Sequence, residues 1–217
     1  DGWFGHRLRS LCDGLLSVVS MYQGSLVGGN CAHTSGPLSI TVTVGGHLFG
    51  PKPITRSHAQ PGDLLCVSGP LGGAALGVLK PSPEHIAIRH SWRPHFEESL
   101  TLVTAKVPTS MMDISDGLVV DTSRIARASG VDIDIDSSLL PLRAPEGTNT
   151  LIEATDFALY GGEDYVLLFT CAADTELPTW AHIVGSVKMG SGAVFIDGEP
   201  MKHQGFDHFQ ANEVSKS

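Results

Sequence analysis

The sequence is short of positive charge. Fourteen Lys and Arg stand against 23 Asp and Glu, a formal net charge of -9 over 217 residues. That balance argues against nucleic acid, which wants a basic face. An acidic chain still binds polyphosphates where metal ions bridge the like charges. Cysteine is sparse: Cys12, Cys31, Cys66 and Cys171 lie far apart and no C-x-x-C pair occurs. Free thiols in a reducing, cytoplasmic setting are the expectation, rather than disulfides or zinc. No apolar run is long enough to span a membrane. No repeat is visible, and no Ser–His–Asp or paired Cys–His grouping suggests covalent catalysis. The chain opens on Asp1 with neither Met nor a signal-like stretch, which reads as a start inside a larger gene product.

Glycine, by contrast, is abundant at 25 residues, which predicts many tight turns. The organising stretch is Asp113-Ile114-Ser115-Asp116-Gly117-Leu118. A short apolar strand from Val107 leads into it. Leu118, Val119, Thr122, Ile125 and Ala126 follow at helical spacing as far as Ser129-Gly130. Two carboxylates, Asp113 and Asp116, therefore sit where a strand becomes a helix, with Asp121 about a turn further on. Ser115 or Asp116 is expected to cap the helix, and Gly117 to let backbone approach a ligand. Carboxylates, a hydroxyl and free N–H groups there suit magnesium carrying phosphates. An acidic N-cap offsetting the helix dipole accounts for the same residues, and both readings stand at this point.

The pattern elsewhere is mixed. Phe4 to Tyr22 is an amphipathic helix stopped by Gly24. Ser25-Leu26-Val27 reads as a strand running into Gly28-Gly29-Asn30, and Leu38 to Val44 alternates apolar with hydroxyl as a one-sided strand. Leu64 to Ser68 is a buried strand. It meets Gly69-Pro70-Leu71-Gly72-Gly73 and a short helix, the order of a phosphate loop without its Gly-Lys-Ser/Thr ending, so the glycines are expected to serve a tight turn. Helices follow at about 84–92 and 95–106. His85, His90 and His95 share no metal spacing. Val131 to Asp136 alternates as a strand with an acidic, solvated face. A short helix near 151–159 precedes Gly161-Gly162-Glu163-Asp164 and the strand 165–170. Strands at 182–187 and 193–196 close the pattern, with Asp197-Gly198 as a hairpin turn. Helices and strands do not alternate strictly, which favours α+β.

Several of these motifs, in this order, resemble the thiamine-monophosphate kinase family, within the superfamily of aminoimidazole-ribonucleotide synthetase. The resemblance rests on Gly28-Gly29-Asn30 with Ser35-Gly36-Pro37-Leu38, on Thr55-Arg56-Ser57 with Pro61-Gly62-Asp63, and on Asp113 to Leu118. Gly161-Gly162-Glu163-Asp164-Tyr165 and Gly205-Phe206-Asp207-His208-Phe209 complete it. It implies the aminoimidazole-ribonucleotide synthetase-like α+β fold. Residues 1–50 would be the last helix and strands of an N-terminal ATP-binding and dimerisation domain, and 51–217 the C-terminal domain. It implies magnesium-dependent transfer of the ATP γ-phosphate to thiamine monophosphate in a cytoplasmic homodimer. Asp113 and Asp116 would hold Mg²⁺. Gly29, Asn30, Arg56 and Ser115 would contact ATP, and Glu163 and Phe206 the thiamine substrate. Asn30 departs from the family's usual Asp, and the family's earlier acidic segments have no counterpart, so the chain is expected to be inactive by itself. A non-catalytic nucleotide- or metal-binding remnant, or a sister ATP-dependent enzyme, is the alternative.

Overall fold

The computed structural model describes residues 2–143 and 150–201. The chain divides into two units, 1–46 and 47–217.

The first unit holds one helix, α1 (Gly2–Met21). After it, Gly24 N–H bonds the Val19 carbonyl at 2.9 Å, which ends the helix where the glycine predicts. Two expected strands are corrected here: residues 25–27 and 38–44 have no regular structure. Alternation describes a strand with one face on a partner, and within the described residues of this unit no second strand pairs with either segment. Leu38 and Val44 stay 82% and 88% exposed.

Among the described residues, the second unit is a seven-stranded sheet flanked by helices. Its elements are β1 (Leu64–Val67), α2 (Gly73–Leu79), α3 (Pro83–His90), α4 (Phe96–Thr104), β2 (Ser110–Asp113), α5 (Leu118–Ser129) and β3 (Val131–Ile135). Then come α6 (Leu151–Tyr160), β4 (Leu167–Cys171), β5 (His182–Met189), β6 (Val194–Ile196) and β7 (Glu199–Pro200). The strand order is β2-β4-β1-β5-β3-β6-β7. Every pairing is antiparallel except β3 with β6. No described helix is long and apolar enough to cross a membrane.

One face of the sheet buries Leu65, Val67, Ile133, Ile135, Leu168 and Val184 with Leu118, Val119, Ile125 and Ala126 of α5. On the other face, Leu102 of α4 packs on Cys66, Phe169 and Cys171. A fully buried Leu or Ile contributes roughly 1.5–3 kcal/mol of transfer free energy, so α5 is held by its apolar stripe. Gly130, at φ 68, ends α5 and donates its N–H to Ala126. Cys66 and Cys171 are buried free thiols with sulfurs 4.0 Å apart.

The acidic face of β3 is engaged within the fold. Asp132 Oδ1 accepts N–H bonds from Ser191, Gly192 and Ala193 at 2.9, 3.1 and 2.9 Å. These three donors hold its carboxyl below the usual range. Asp134 pairs with Lys188 at 2.6 Å, and Asp136 accepts from Ser138. Asp197 and Gly198, at φ 54 and 81, make the two-residue turn between β6 and β7.

Candidate functional site

The site begins at the edge strand β2, which ends on Asp113. Ile114 is fully buried and pins the turn to the core. The chain then passes Ser115 and Asp116 and enters α5 after Gly117. The expected side-chain cap by Ser115 or Asp116 does not form: Gly117 is the N-cap, and no side chain bonds the first helical N–H groups. Asp121, one turn inside α5, reaches back instead. Its Oδ2 accepts the backbone N–H of Ser115 at 2.9 Å and of Asp116 at 3.0 Å. The Asp116 carboxylate is drawn to Arg124 instead of to the helix start, and the Asp121 carboxylate ties down the two N–H groups that precede it.

Asp121 is fully buried. Burial pushes its carboxyl up, while the Asp116 N–H, Arg124 and the Ser115 N–H pull it back. Arg124 spans the turn, bonding Asp121 Oδ1 and Asp116 Oδ2. Burial lowers that guanidinium, but the two carboxylates outweigh it and hold it protonated. Asp116, predicted as a metal ligand, thus has one oxygen engaged by Arg124. Asp113 is exposed and its side chain has no partner among the described residues.

The second predicted turn lies directly against the first. Ile114 N–H bonds Val166, Tyr165 N–H bonds Ile114, and Glu163 N–H bonds Ser115, each at 2.9 Å. Gly162, at φ 69, is required by this lacing: a Cβ there would stand 2.7 Å from the Ser115 carbonyl oxygen. Gly117, at φ 113, permits another close approach, since a Cβ on it would lie 3.1 Å from the Tyr160 carbonyl carbon at the end of α6. Glu163 and Tyr165 both hold positive φ, 57 and 51. Non-glycine residues in that region cost of order 1 kcal/mol or more and cluster at functional sites.

Glu163 is bound through Oε2 to Nη2 and Nε of Arg89 at 3.0 and 3.2 Å. Asp164 points the other way. It accepts Gly72 N–H at 2.7 Å and Ala74 N–H at 3.1 Å, and burial pushes its carboxyl up. The start of α2 therefore carries an internal carboxylate where a phosphate loop would carry its anion, as the missing Gly-Lys-Ser/Thr ending suggests.

Between the turns, α2 and α3 lies a cleft of 590 Å³. Val78 and Leu79 form its apolar side, and Ser115, Asp116, Glu163 and Arg89 its polar side. The structure thus brings Ser115, Asp116 and Glu163 together. Arg56 is exposed, with its carbonyl accepting from Ser129 Oγ at 3.1 Å. Gly29 and Asn30 lie in the irregular segment of the first unit, and Phe206 is outside the described residues. Among the described residues no three or more His, Cys, Asp or Glu side chains gather as a metal cluster. Asp113 and Asp116 nevertheless fit magnesium, which is commonly bound by one or two carboxylates with water and phosphate oxygens completing the shell.

Sequence reasoning missed Arg124 and Arg89. The i,i+3 spacing of Asp121 and Arg124 was a readable signal. Arg89 lies 74 residues from Glu163, and no local pattern joins them.

No family model matches the chain. Among curated proteins, it is 32% identical over 228 residues to thiamine-monophosphate kinase of Escherichia coli O157:H7, covering 93% of this chain and 69% of that protein. It is 33% identical over 212 residues to thiamine-monophosphate kinase of Aquifex aeolicus, covering 90% and 67%. The crystal structure of the Aquifex aeolicus kinase superposes with a TM-score of 0.58 at 33% identity, over 69% of this chain and 55% of that one. A complex of AaThiL with AMPPCP and TMP gives 0.59 at 35% identity, over 72% and 54%. The match thus spans just over half of these solved chains. The hydrogenase maturation protein HypE, at 15% identity and a TM-score of 0.54, shares the aminoimidazole-ribonucleotide synthetase-like fold.

Proposed function

Because the chain belongs to the thiamine-monophosphate kinase family, we propose that it serves the transfer of the ATP γ-phosphate to thiamine monophosphate, yielding thiamine diphosphate and ADP. The observation that carries this reading is the lacing of two turns across one cleft. It sets Ser115 and Asp116 beside Glu163, a hydroxyl and a carboxylate next to a second carboxylate, and that set supports a phosphate on one side and a cationic ring on the other. In this reading Asp113 and Asp116 hold Mg²⁺, which when bound neutralises charge on the phosphates. Gly29, Asn30, Arg56 and Ser115 contact ATP. Glu163 and Phe206 receive thiamine monophosphate. Phosphoryl transfer is served by positioning and charge neutralisation, so no side chain here needs to form a covalent intermediate.

With two carboxylates at the turn, one of them also held by Arg124, this chain by itself is proposed to bind nucleotide without useful turnover. The test measures thiamine diphosphate formed from ATP and thiamine monophosphate. It uses this chain alone and this chain extended at its amino terminus by the corresponding segment of the E. coli relative. Product from the extended protein, lost on Asp113→Asn, is expected. No product from either protein overturns the assignment, and rapid turnover by the chain alone overturns the account of its metal site.

We also propose a homodimer formed through the first unit. Leu38, Ile40, Val42 and Val44 alternate along one segment and all are exposed. An unpaired segment of that pattern adds readily to another chain as a strand. Light scattering is expected to give twice the chain mass at micromolar concentration; a monomer across a wide concentration range sinks this assembly.

A further inference from the structure

On the α3 side of Glu163 lies a second, smaller cavity of 280 Å³ lined by Arg89, His90, Trp92, Glu163 and Tyr165. Trp92 follows the end of α3, where Ser91 closes the helix on Ile88 through both its N–H and its hydroxyl. The indole is 52% exposed. It leans on Tyr165, with ring centroids 5.0 Å apart at 43°. Tyr165 is fixed in turn by its N–H bond to Ile114, so the aromatic pair is tied to the same turn that carries Asp116. Glu163 uses Oε2 for both of its Arg89 bonds and leaves Oε1 without a partner among the described residues. A half-bare indole backed by a phenol, beside a carboxylate with one free oxygen, offers a π face and an acceptor at one place. Arg89, a planar delocalised cation, already lies against that carboxylate and illustrates the chemistry it takes.

We infer that Trp92, with Tyr165 behind it, is the seat on which a flat cationic heteroaromatic ring bearing an amine stacks beside Glu163. Resting on the function proposed above, that ring system is the thiazolium–aminopyrimidine of thiamine monophosphate. The electron-rich indole attracts the ring's positive charge, and Glu163 Oε1 accepts from the exocyclic amine. Trp92 is then a specificity-determining residue for the acceptor and contributes nothing to ATP binding.

The experiment titrates the 217-residue chain with thiamine monophosphate and follows tryptophan fluorescence and binding heat. The chain has two other indoles, Trp3 and Trp180. Trp92→Phe is expected to remove most of the quench while keeping affinity within about threefold, since Phe retains a π face. Trp92→Leu is expected to weaken binding about tenfold with ATP affinity unchanged. Thiamine is expected to quench and inorganic phosphate is not. An unchanged dissociation constant in Trp92→Leu, or an undiminished quench in Trp92→Phe, overturns the seat. If Glu163→Gln weakens binding in that case, the acceptor site itself stands. A parent chain that binds no thiamine monophosphate, or binds it equally well as Glu163→Gln, overturns the underlying reading and the seat with it.

Discussion

Gly162→Ala is expected to lower the melting temperature by about 6–12 °C and to abolish the stabilisation that Mg-ATP is proposed to confer on the parent. Two independent costs meet at this position. The backbone sits at φ 69, where an L side chain is strained. The new Cβ would also stand 2.7 Å from the Ser115 carbonyl oxygen and 3.0 Å from the Asp116 carbonyl carbon. Both obstacles are main-chain atoms of the laced turn, so no flexible side-chain tip can step aside. Strain and overpacking together cost about 3 kcal/mol, and each kcal/mol is about 2–4 °C for a chain of this size. Gly198→Ala is the control. It also has positive φ, 81, but nothing lies within 4 Å of its Cβ, so it carries the backbone cost alone and leaves Mg-ATP stabilisation intact. Equal melting shifts in the two variants would mean that the turns are not packed as described.

The contrast between those glycines indicates which parts of the fold are legible in the sequence. Asp197-Gly198 announces its hairpin because turn geometry is local. The 3.6-residue stripe of α5 and the strict alternation of β3 are also local, and they predict those elements to within a residue or two. Leu38 to Val44 alternates as cleanly yet forms no strand, because a strand depends on a partner ladder as well as its own period. The same distinction runs through the site. Asp113, Ser115 and Asp116 stand out as a motif. The Asp121 carboxylate, by contrast, holds the turn before α5 because it folds back on two N–H groups while Arg124 balances its charge, a contact the motif itself does not announce. Arg89 and Trp92 reach Glu163 and Tyr165 through the packing of α3 beside the second turn, and pairs so far apart along the chain leave no periodic trace.

Replacing Asp113, Asp116 and Asp121 one at a time by Asn is expected to separate folding from the proposed metal binding. The order of effects reverses between the two measurements. Asp121→Asn is expected to cost about 1–3 kcal/mol, because an amide has one acceptor oxygen and cannot serve both the two backbone N–H groups and Arg124 from a fully buried position. Asp116→Asn breaks a pair whose members are 26% and 35% exposed, and such pairs contribute about 0–1 kcal/mol. Asp113→Asn removes a carboxylate with no described partner and is expected to change stability by less than about 0.5 kcal/mol. The Mg-ATP response ranks the other way. At a ligand concentration about 100-fold above the dissociation constant, binding raises stability by about 2.7 kcal/mol. Asp113→Asn and Asp116→Asn are expected to lose most of that increment. Asp121→Asn, measured at a temperature where it remains folded, keeps both carboxylates proposed to hold the metal and is expected to retain a larger share. Thermal melts with and without Mg-ATP, repeated with ATP and a chelator, provide the whole comparison. A full Mg-ATP increment in Asp113→Asn would remove that residue from the metal site. A melt of Asp121→Asn that matches the parent would show that Arg124 and the two N–H groups do not depend on its charge.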